Sequence, residues 1–260
     1  MKLPLYQVDA FTSEVFHGNP AAVCPLNEWL SDDQMHRIAA ENNLSETAFY
    51  VPKGNDFSLR WFTPTVEVSL CGHATLASAY VLFEIYKYSD PQVHFHTKSG
   101  LLSVRRDNGG FVMNFPADHY KETPITPLIT RALGINPKKV VQGKNILMAE
   151  LSSEKELREL FPEIYTVMQV HPHGLIVTAK GDNVDFVSRC FFPNAGINED
   201  PVTGSAHTLL TPYWSEKLNK KELKARQISK RGGDLNCSML GDRVEIGGNA
   251  VLYMRGEIEI

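Results

Sequence analysis

Ten residues of the second half, NEDPVTGSAH at 198–207, hold many groups that can bind a ligand or move a proton. The segment sets two carboxylates, a proline, a glycine and a serine directly before an apolar stretch with helical spacing. A helix start needs one capping residue and at most one nearby acid, so this segment carries more polar groups than capping requires. We therefore expect a bound ligand at this helix start.

Three side chains suit general acid/base catalysis, which needs one group to accept a proton and another to return or orient it. His73 lies at the predicted start of one apolar helix, and Asp200 lies just before the other. Glu46 falls between the end of a predicted helix and an apolar strand, where partial burial would suit it to proton transfer. A structural role for Glu46 is the alternative that these residues alone leave open.

Both predicted helix starts carry a glycine. Helix N-termini expose unpaired N–H donors and the positive end of the helix dipole, so they hold anions. Gly72 and Gly204 lack a Cβ, which lets the backbone approach a ligand closely. Thr203-Gly204-Ser205 is thus typical of a carboxylate-binding turn, and Cys71-Gly72-His73 is its counterpart. Ordinary capping is the alternative for either motif taken alone.

Composition excludes several classes of protein. The 260 residues are 43% apolar, which is enough for well-filled cores and excludes a disordered or fibrous chain. Lys and Arg number 26 against 30 Asp and Glu, with no run of like charge, so we expect no nucleic-acid partner and no attraction to anionic lipid. No apolar run reaches about 18 residues and the start is too polar for a signal peptide, which predicts a cytoplasmic protein.

The cysteines indicate neither a disulfide framework nor a zinc site. Cys24, Cys71, Cys190 and Cys237 lie far apart, and no Cys-x-x-Cys pair occurs. Such spacing predicts reduced thiols and no metal. The sequence also has no P-loop and no strand-linked Gly-x-Gly-x-x-Gly, so no nucleotide cofactor is expected.

Hydrophobic periodicity then predicts the elements that position these residues. The first half reads as strands, a surface helix, a second helix and a closing meander with turns at Lys98-Ser99-Gly100 and Asp107-Asn108-Gly109. The second half repeats this plan. The predicted ranges are strands at 3–9, 46–52, 58–63, 93–97, 101–105 and 110–115 with helices at 31–42 and 72–86, followed by strands at 139–149, 165–170, 174–179 and 186–191 and a helix at 204–218.

The two halves resemble each other in sequence as well as in plan. RWFTP at 60–64 is matched by RCFFP at 189–193, and EVSLCGHA at 67–74 by EDPVTGSA at 199–206. Three prolines in the polar stretch 116–127 mark the best boundary, so we predict domains at 1–118 and 119–260, with the last strand able to pack back on the first domain. Chance similarity is the alternative to duplication.

The helix at 72–83 is almost free of charge on every face, so we expect other elements to enclose it. The neighbouring strands can enclose it as a curled, mostly antiparallel sheet. The predicted fold is therefore α+β, with two similar domains, each a barrel-like sheet around a central helix, related by a pseudo-twofold axis.

Eight segments in order resemble the PhzF family, the phenazine biosynthesis-like proteins, which are related to diaminopimelate epimerase. The resemblance covers nearly the whole chain, and its order makes it specific. The segments are VDAFT at 8–12, GNPAAV at 18–23, LSETAF at 44–49, WFTP at 61–64, LCGHAT at 70–75, EDPVTGSAH at 199–207, RGG at 231–233 and GDRV at 241–244.

This resemblance implies a diaminopimelate epimerase-like fold, a cofactor-free active site in a cleft between the domains, and a homodimer. It assigns a proton-moving glutamate to Glu46, helped by a histidine, an aspartate and a serine. The catalytic set that it implies is Glu46, His73, Asp200 and Ser205. At the two helix starts, the residues expected to bind the substrate are Gly72, Ala74, Thr203 and Gly204.

The epimerase relatives use a thiol from each domain as a pair of bases. This chain has Cys71 at the first position but Thr203 at the second. A threonine hydroxyl has too high a pKa to replace a thiolate, which disfavours racemisation by two thiols. The roles of Cys71 and of His207, one helical turn beyond Thr203, stay open.

The leading hypothesis is therefore an isomerase that moves a proton and a double bond in a small carboxylic acid similar to dihydro-hydroxyanthranilate. Two alternatives remain. One is a non-catalytic protein that keeps the fold to bind a ligand or partner, and the other is an amino-acid epimerase that uses Glu46 with another base.

Overall fold

A computed structural model describes residues 1–107 and 109–260, which form eighteen strands and six α-helices. In chain order they are β1 (Lys2–Ala10), β2 (Asn19–Pro25), α1 (Asp32–Asn42), β3 (Glu46–Lys53), β4 (Asp56–Phe62), β5 (Glu67–Val68), α2 (Gly72–Tyr80), a π-helix (Val81–Ile85), β6 (Gln92–Thr97), β7 (Gly100–Asp107), β8 (Gly110–Pro116), β9 (Lys121–Thr123), α3 (Pro127–Leu133), β10 (Lys139–Gln142), β11 (Leu147–Glu150), α4 (Glu154–Arg158), α5 (Ile164–Val170), β12 (Leu175–Lys180), β13 (Phe186–Phe192), a 3₁₀ turn (Pro193–Ala195), β14 (Ile197–Asp200), α6 (His207–Leu218), β15 (Glu222–Gln227), β16 (Gly233–Leu240), β17 (Arg243–Gly248) and β18 (Ala250–Glu259).

The chain forms two compact units, one of Met1–Asn114 with Gly247–Ile260 and the other of Phe115–Ile246. In the first unit, β1 pairs antiparallel with both β18 and β2, and β2 runs parallel to β3. The pairs β3–β4, β6–β7 and β7–β8 are antiparallel, whereas β4 and β6 are parallel. The sheet is thus mixed and mostly antiparallel.

The second unit repeats the same pairing order. Strands β10 and β11 are antiparallel, β11 and β12 parallel, and β12 and β13 antiparallel. Strand β13 then pairs parallel with β15, which is antiparallel to β16, as β4, β6 and β7 do in the first unit. This repeat confirms the predicted α+β fold of two similar domains.

An ion pair recurs at the same place in each unit. Arg60 makes two parallel hydrogen bonds to Glu67, both 2.8 Å long, and its guanidinium lies over the ring of Phe62. Arg189 makes the same paired contact with Glu199, at 2.7 and 2.9 Å. Each pair joins a long strand, β4 or β13, to the short strand that precedes the apolar helix, β5 or β14, so the repeated sequence motif has a repeated structural role.

Helix α2 is enclosed, as its lack of charge predicted. All residues from Gly72 to Ala79 are buried, and the helix packs on β1, β2 and β3. Small side chains on most of its faces allow the strands to approach closely. Surface helix α1 instead starts with a capping box, in which Ser31 and Gln34 bond to each other's backbone N–H, and buries only one face.

Two of the predicted strands differ in the structure. The predicted strand at 165–170 is helix α5, because Ile164, Val167 and Val170, spaced three apart, pack against the core while Tyr165 is 78% exposed. The predicted strand at 139–149 is a hairpin of β10 and β11 with a turn closed by a Gly143 N–H bond to Ile146. The predicted turn containing Asn108 lies outside the described residues. Among the described residues, no helix has the length and apolar character needed to cross a membrane.

Candidate active site

Glu46 and His73 meet in the first unit. Glu46 is the first residue of β3 and His73 the second residue of α2, so the contact of the helix with the strand brings them together. Glu46 Oε2 lies 3.2 Å from His73 Nε2, and the two side chains are 12% and 6% exposed. Both atoms are buried, and neither makes a well-aligned hydrogen bond to another described residue. Each of these two atoms therefore has the other as its polar contact at 3.2 Å.

The other ring nitrogen of His73 faces Asn19 and Cys71. The Asn19 side-chain nitrogen lies 3.2 Å from His73 Nδ1, and the Cys71 sulfur lies 3.5 Å from the same atom. A neutral imidazole would accept a hydrogen bond from the Asn19 amide at Nδ1 and present an Nε2–H to Glu46. Protonation makes both nitrogens donors, so the Asn19 amide would then have to present its oxygen.

Electrostatics favour a protonated His73 beside a neutral Cys71. Burial disfavours the imidazolium, but a hydrogen bond to the Cys71 sulfur and the negative charge of Glu46 outweigh it and hold the pKa of His73 above its ordinary value. Burial, reinforced by the Glu46 charge, raises the pKa of the Cys71 thiol to about 11. Cys71 is thus a thiol at neutral pH, and the Glu46 carboxylate is the group that stabilises the imidazolium.

Glu46, Cys71 and His73 could also be considered as metal ligands, because one atom from each lies within 4.8 Å of the others. Metal binding requires a thiolate and a neutral imidazole. A buried thiol with a raised pKa and a protonated histidine would each have to lose a proton first. Binding of a metal ion here would therefore release a proton from each of these two groups.

In the second unit, Asp200 and Thr203 are brought together by the turn before α6. Both are buried, and the Thr203 hydroxyl donates a short hydrogen bond to the Asp200 carboxylate. Helix α6 begins at His207 rather than at the predicted 204, because residues 204–206 form a tighter turn with the His207 N–H bonded to the Gly204 carbonyl at 3.0 Å. The predicted ligand-binding residues thus lie in a turn ahead of the helix.

The remaining predicted residues differ in exposure. Ser205 is exposed at the tip of this turn, whereas Gly204 is buried within it. Gly72 and Ala74 are buried in the first turn of α2. Cys71 precedes that helix as its N-cap and makes no side-chain capping bond, so capping alone does not explain this helix start.

Two buried residues support the predicted ones. Asn19 contacts His73, and its one signal in the sequence is the GNPAAV segment of the family resemblance. Gln227, at the end of β15, accepts from the Thr203 N–H at 2.8 Å and donates to the Asp200 carbonyl at 2.7 Å. No sequence pattern singled out Gln227, because its role depends on a pairing of distant strands.

His207 has a structural role. Its Nδ1 lies 2.8 Å from the Thr203 carbonyl, and complete burial lowers its pKa to about 4. The ring is therefore neutral at pH 7 and Nδ1 carries the proton that it donates. This bond fixes the carbonyl of the turn that holds Asp200.

Comparisons with known proteins agree with the fold. Residues 8–256 match the family model PhzC-PhzF, described as phenazine biosynthesis-like protein. An uncharacterized isomerase of Pseudomonas aeruginosa is 48% identical over 260 residues, and the match covers all of both chains.

Solved structures of similar proteins show the same fold. A PhzF family phenazine biosynthesis protein of Enterococcus faecalis is 47% identical, with a TM-score of 0.97 and full coverage of both chains. A predicted epimerase of Pseudomonas aeruginosa shares the fold at 20% identity and a TM-score of 0.74, covering 98% of this chain and 99% of its own. The chain therefore belongs to the phenazine biosynthesis-like (PhzF) family, and its enzyme class is isomerase.

Proposed function

We propose that this isomerase moves a proton within a small carboxylic acid by cofactor-independent general acid/base catalysis. The observation that carries the proposal is the buried contact of Glu46 Oε2 with His73 Nε2 at 3.2 Å. A carboxylate beside an imidazolium can accept a proton from carbon, while the imidazolium donates a hydrogen bond or a proton to the developing charge.

In this proposal Glu46 removes the proton from one carbon and returns it at another, which shifts the double bond. His73 orients the substrate or relays the proton. The family resemblance adds Asp200 and Ser205 to the same reaction, with Gly72, Ala74, Thr203 and Gly204 binding the substrate. The exposed hydroxyl of Ser205 and the turn beside it are suited to a carboxylate group.

Racemisation by two thiols is disfavoured by the side chains at the two relevant positions. Cys71 is a buried thiol with a raised pKa, and the Thr203 hydroxyl is already donated to Asp200. An epimerase that uses Glu46 with another base would invert a configuration without moving a double bond, so product analysis separates it from the proposal. The isomerase relatives weigh against the non-catalytic alternative.

The test compares wild type with Glu46→Gln and Glu41→Gln in heavy water. Glu41 is exposed in α1, so its variant makes the same chemical change away from His73. Each protein is incubated with dihydro-hydroxyanthranilate and, separately, with a metabolite extract. Retention time and one-unit mass gain are both scored, because a shielded glutamate can carry a proton between carbons without exchange.

We expect wild type and Glu41→Gln to convert a carboxylic acid and Glu46→Gln to lose about 10²–10⁴-fold in rate, the usual contribution of an acid/base group. Near-normal turnover by folded Glu46→Gln would remove Glu46 from the mechanism. A product that differs from its substrate only by inversion of one stereocentre would instead establish epimerisation.

A cytoplasmic location and a homodimer are further proposals, which rest on the sequence and the family resemblance. Sedimentation velocity should give twice the monomer mass at micromolar protein. A monomer that retains full activity would refute the need for a dimer.

A further inference from the structure

The strand pairings of the two units match position by position. In the first unit, Phe62 of β4 and Ala22 of β2 lie on either side of the same residue of β3. In the second unit, Phe191 of β13 and Leu147 of β11 likewise lie on either side of one residue of β12. Phe62 and Phe191 hold the same place in the repeated sequence motif, so Ala22 and Leu147 are structurally equivalent.

This equivalence matches two residues of the candidate active site with Ser205 and Lys144. His73 corresponds to Ser205 in the repeated motif, and Asn19 and Lys144 each lie three positions before the equivalent strand residues. In the first unit the two members touch, since Asn19 Nδ2 lies 3.2 Å from His73 Nδ1. The second unit therefore places a lysine and a serine where the first unit places an amide and an imidazole.

The second unit has no carboxylate at the place of Glu46. Glu46 comes directly before the residue of β3 that lies beside Phe62, and the residue at this place in the second unit is Gly174. Gly174 has a φ of +96°, and a Cβ there would overlap the Phe191 carbonyl oxygen. A carboxylate side chain is therefore excluded, and the groups left at these matched places suit anion binding rather than proton transfer.

The turn that carries Lys144 is fixed to the first turn of α6. Pro212 has no N–H, so the Thr208 carbonyl lacks its helical donor and accepts from the Asp118 N–H at 3.0 Å. The Asp118 carboxylate in turn accepts from the Lys144 N–H at 2.9 Å. The backbone of Lys144 is therefore joined to the start of α6 through a single residue.

Two further contacts place this turn beside Ser205. A Cβ on Gly143 would lie 3.0 Å from a methyl carbon of Leu209, so the turn packs directly against α6. The Thr208 hydroxyl donates to the Ser205 carbonyl at 2.8 Å. Thr208 thus bonds both to the segment that holds Lys144 and to Ser205, and these two residues lie at the same end of α6.

The Lys144 ammonium is open to an anion. Lys144 is exposed, and its side chain makes no hydrogen bond or ion pair with any residue that the structure describes. Two other cations of the second unit are already paired, Arg189 with Glu199 and Lys220 with Asp185. A lysine ammonium is a point charge on a flexible four-carbon stem, so it can follow an anion held at a neighbouring hydroxyl.

We propose that Lys144 is the cation that binds the carboxylate of the substrate, beside the exposed hydroxyl of Ser205. The carboxylate accepts from the ammonium and from the hydroxyl, and an uncharged analogue loses the stronger, charge-assisted bond. Lys144 is thus a substrate-binding residue that selects for an anionic group. This role rests on the proposed function, because it supplies the cation for the carboxylic acid on which Glu46 is proposed to act.

The probe is benzoate, and benzamide is its matched uncharged control. Binding to the full chain is followed at pH 7 by the NMR shift of the Ser205 amide. The variants are Lys144→Gln, which removes the charge, and Lys144→Arg, which keeps it; both leave the backbone contacts of the turn in place. Lys138→Gln is the matched control, because Lys138 is also exposed and lies at the other end of the β10–β11 hairpin.

We expect saturable benzoate binding that is about fivefold weaker in Lys144→Gln, the effect of one exposed ion pair, and within about twofold of wild type in Lys144→Arg and Lys138→Gln. The affinity for benzamide should be the same in all four proteins. Wild-type benzoate affinity in Lys144→Gln, an equal loss in Lys138→Gln, or no saturable shift at Ser205 would each overturn the assignment of Lys144.

Failure of this assignment can be told apart from failure of the proposed function. Glu46→Gln should bind benzoate as wild type does, because the binding assay needs no proton transfer. Normal turnover by Glu46→Gln would overturn the proposed function, whereas the benzoate result alone decides the role of Lys144.

Discussion

Gln227 is the residue whose replacement should most directly loosen the turn that carries Asp200 and Thr203. It is fully buried at the end of β15. Its carbonyl oxygen accepts from the Thr203 N–H, and its amide nitrogen donates to the Asp200 carbonyl and, at 3.3 Å, to the Thr203 hydroxyl. Gln227→Met keeps the length and shape of the side chain but removes all of these bonds.

The expected loss of stability follows from these contacts. Without Gln227 Oε1, the Thr203 N–H is buried without its acceptor at 2.8 Å, which costs about 1–3 kcal/mol. Loss of the 2.7 Å bond to the Asp200 carbonyl adds about 0.5–1.5 kcal/mol. We therefore expect Gln227→Met to lower the free energy of unfolding by about 2–4 kcal/mol.

The assay is urea unfolding at pH 7, followed by circular dichroism and tryptophan fluorescence. Gln142→Met is the matched control, because Gln142 also donates to two carbonyls, those of Gly143 and Ile146, but is only half-buried. Water can replace its bonds, so the control should lose less than about 1 kcal/mol. Equal losses in the two variants, or a loss below about 1 kcal/mol for Gln227→Met, would refute the role given to Gln227.

Three further predictions concern charge and pH. In Glu46→Gln the pKa of His73, followed by NMR, should fall, because the carboxylate 3.2 Å away no longer stabilises the imidazolium. In wild type this stabilisation is full below about pH 6.5 and disappears as the pH rises through the raised pKa of His73. An unchanged pKa of His73 in the variant would contradict the pairing. The pKa of His207 is about 4 in the folded protein against 6.5 in the unfolded chain, so the free energy of unfolding should fall by about 3 kcal/mol between pH 6.5 and pH 4. In urea titrations, His207→Asn should flatten this pH dependence. Arg189→Lys should lose about 2–3 kcal/mol of unfolding free energy, since a lysine cannot reproduce the two bonds to Glu199; an unchanged midpoint would show that the pair is dispensable.

Much of the local structure followed from sequence because local chemistry determines it. The helices predicted from residues 31 and 72 begin at Asp32 and Gly72, and the absence of charge in α2 predicted its enclosed position. Local pattern failed at 165–170, where a run of large and β-branched side chains is compatible with either a strand or a helix. Burial of one face of that run, which depends on the neighbouring elements, decided for the helix.

The sequence by itself determined the family, the α+β class, the repeated plan and the candidate proton-transfer residues, because these depend on residue types, their order and their spacing. Tertiary structure decided which of these residues touch. The 3.2 Å contact of Glu46 with His73 and the hydrogen bonds from Gln227 to the turn that carries Asp200 each join residues far apart in the chain. Burial and distance set the protonation state of a side chain and the partners open to it, and both arise only when strands and helices pack.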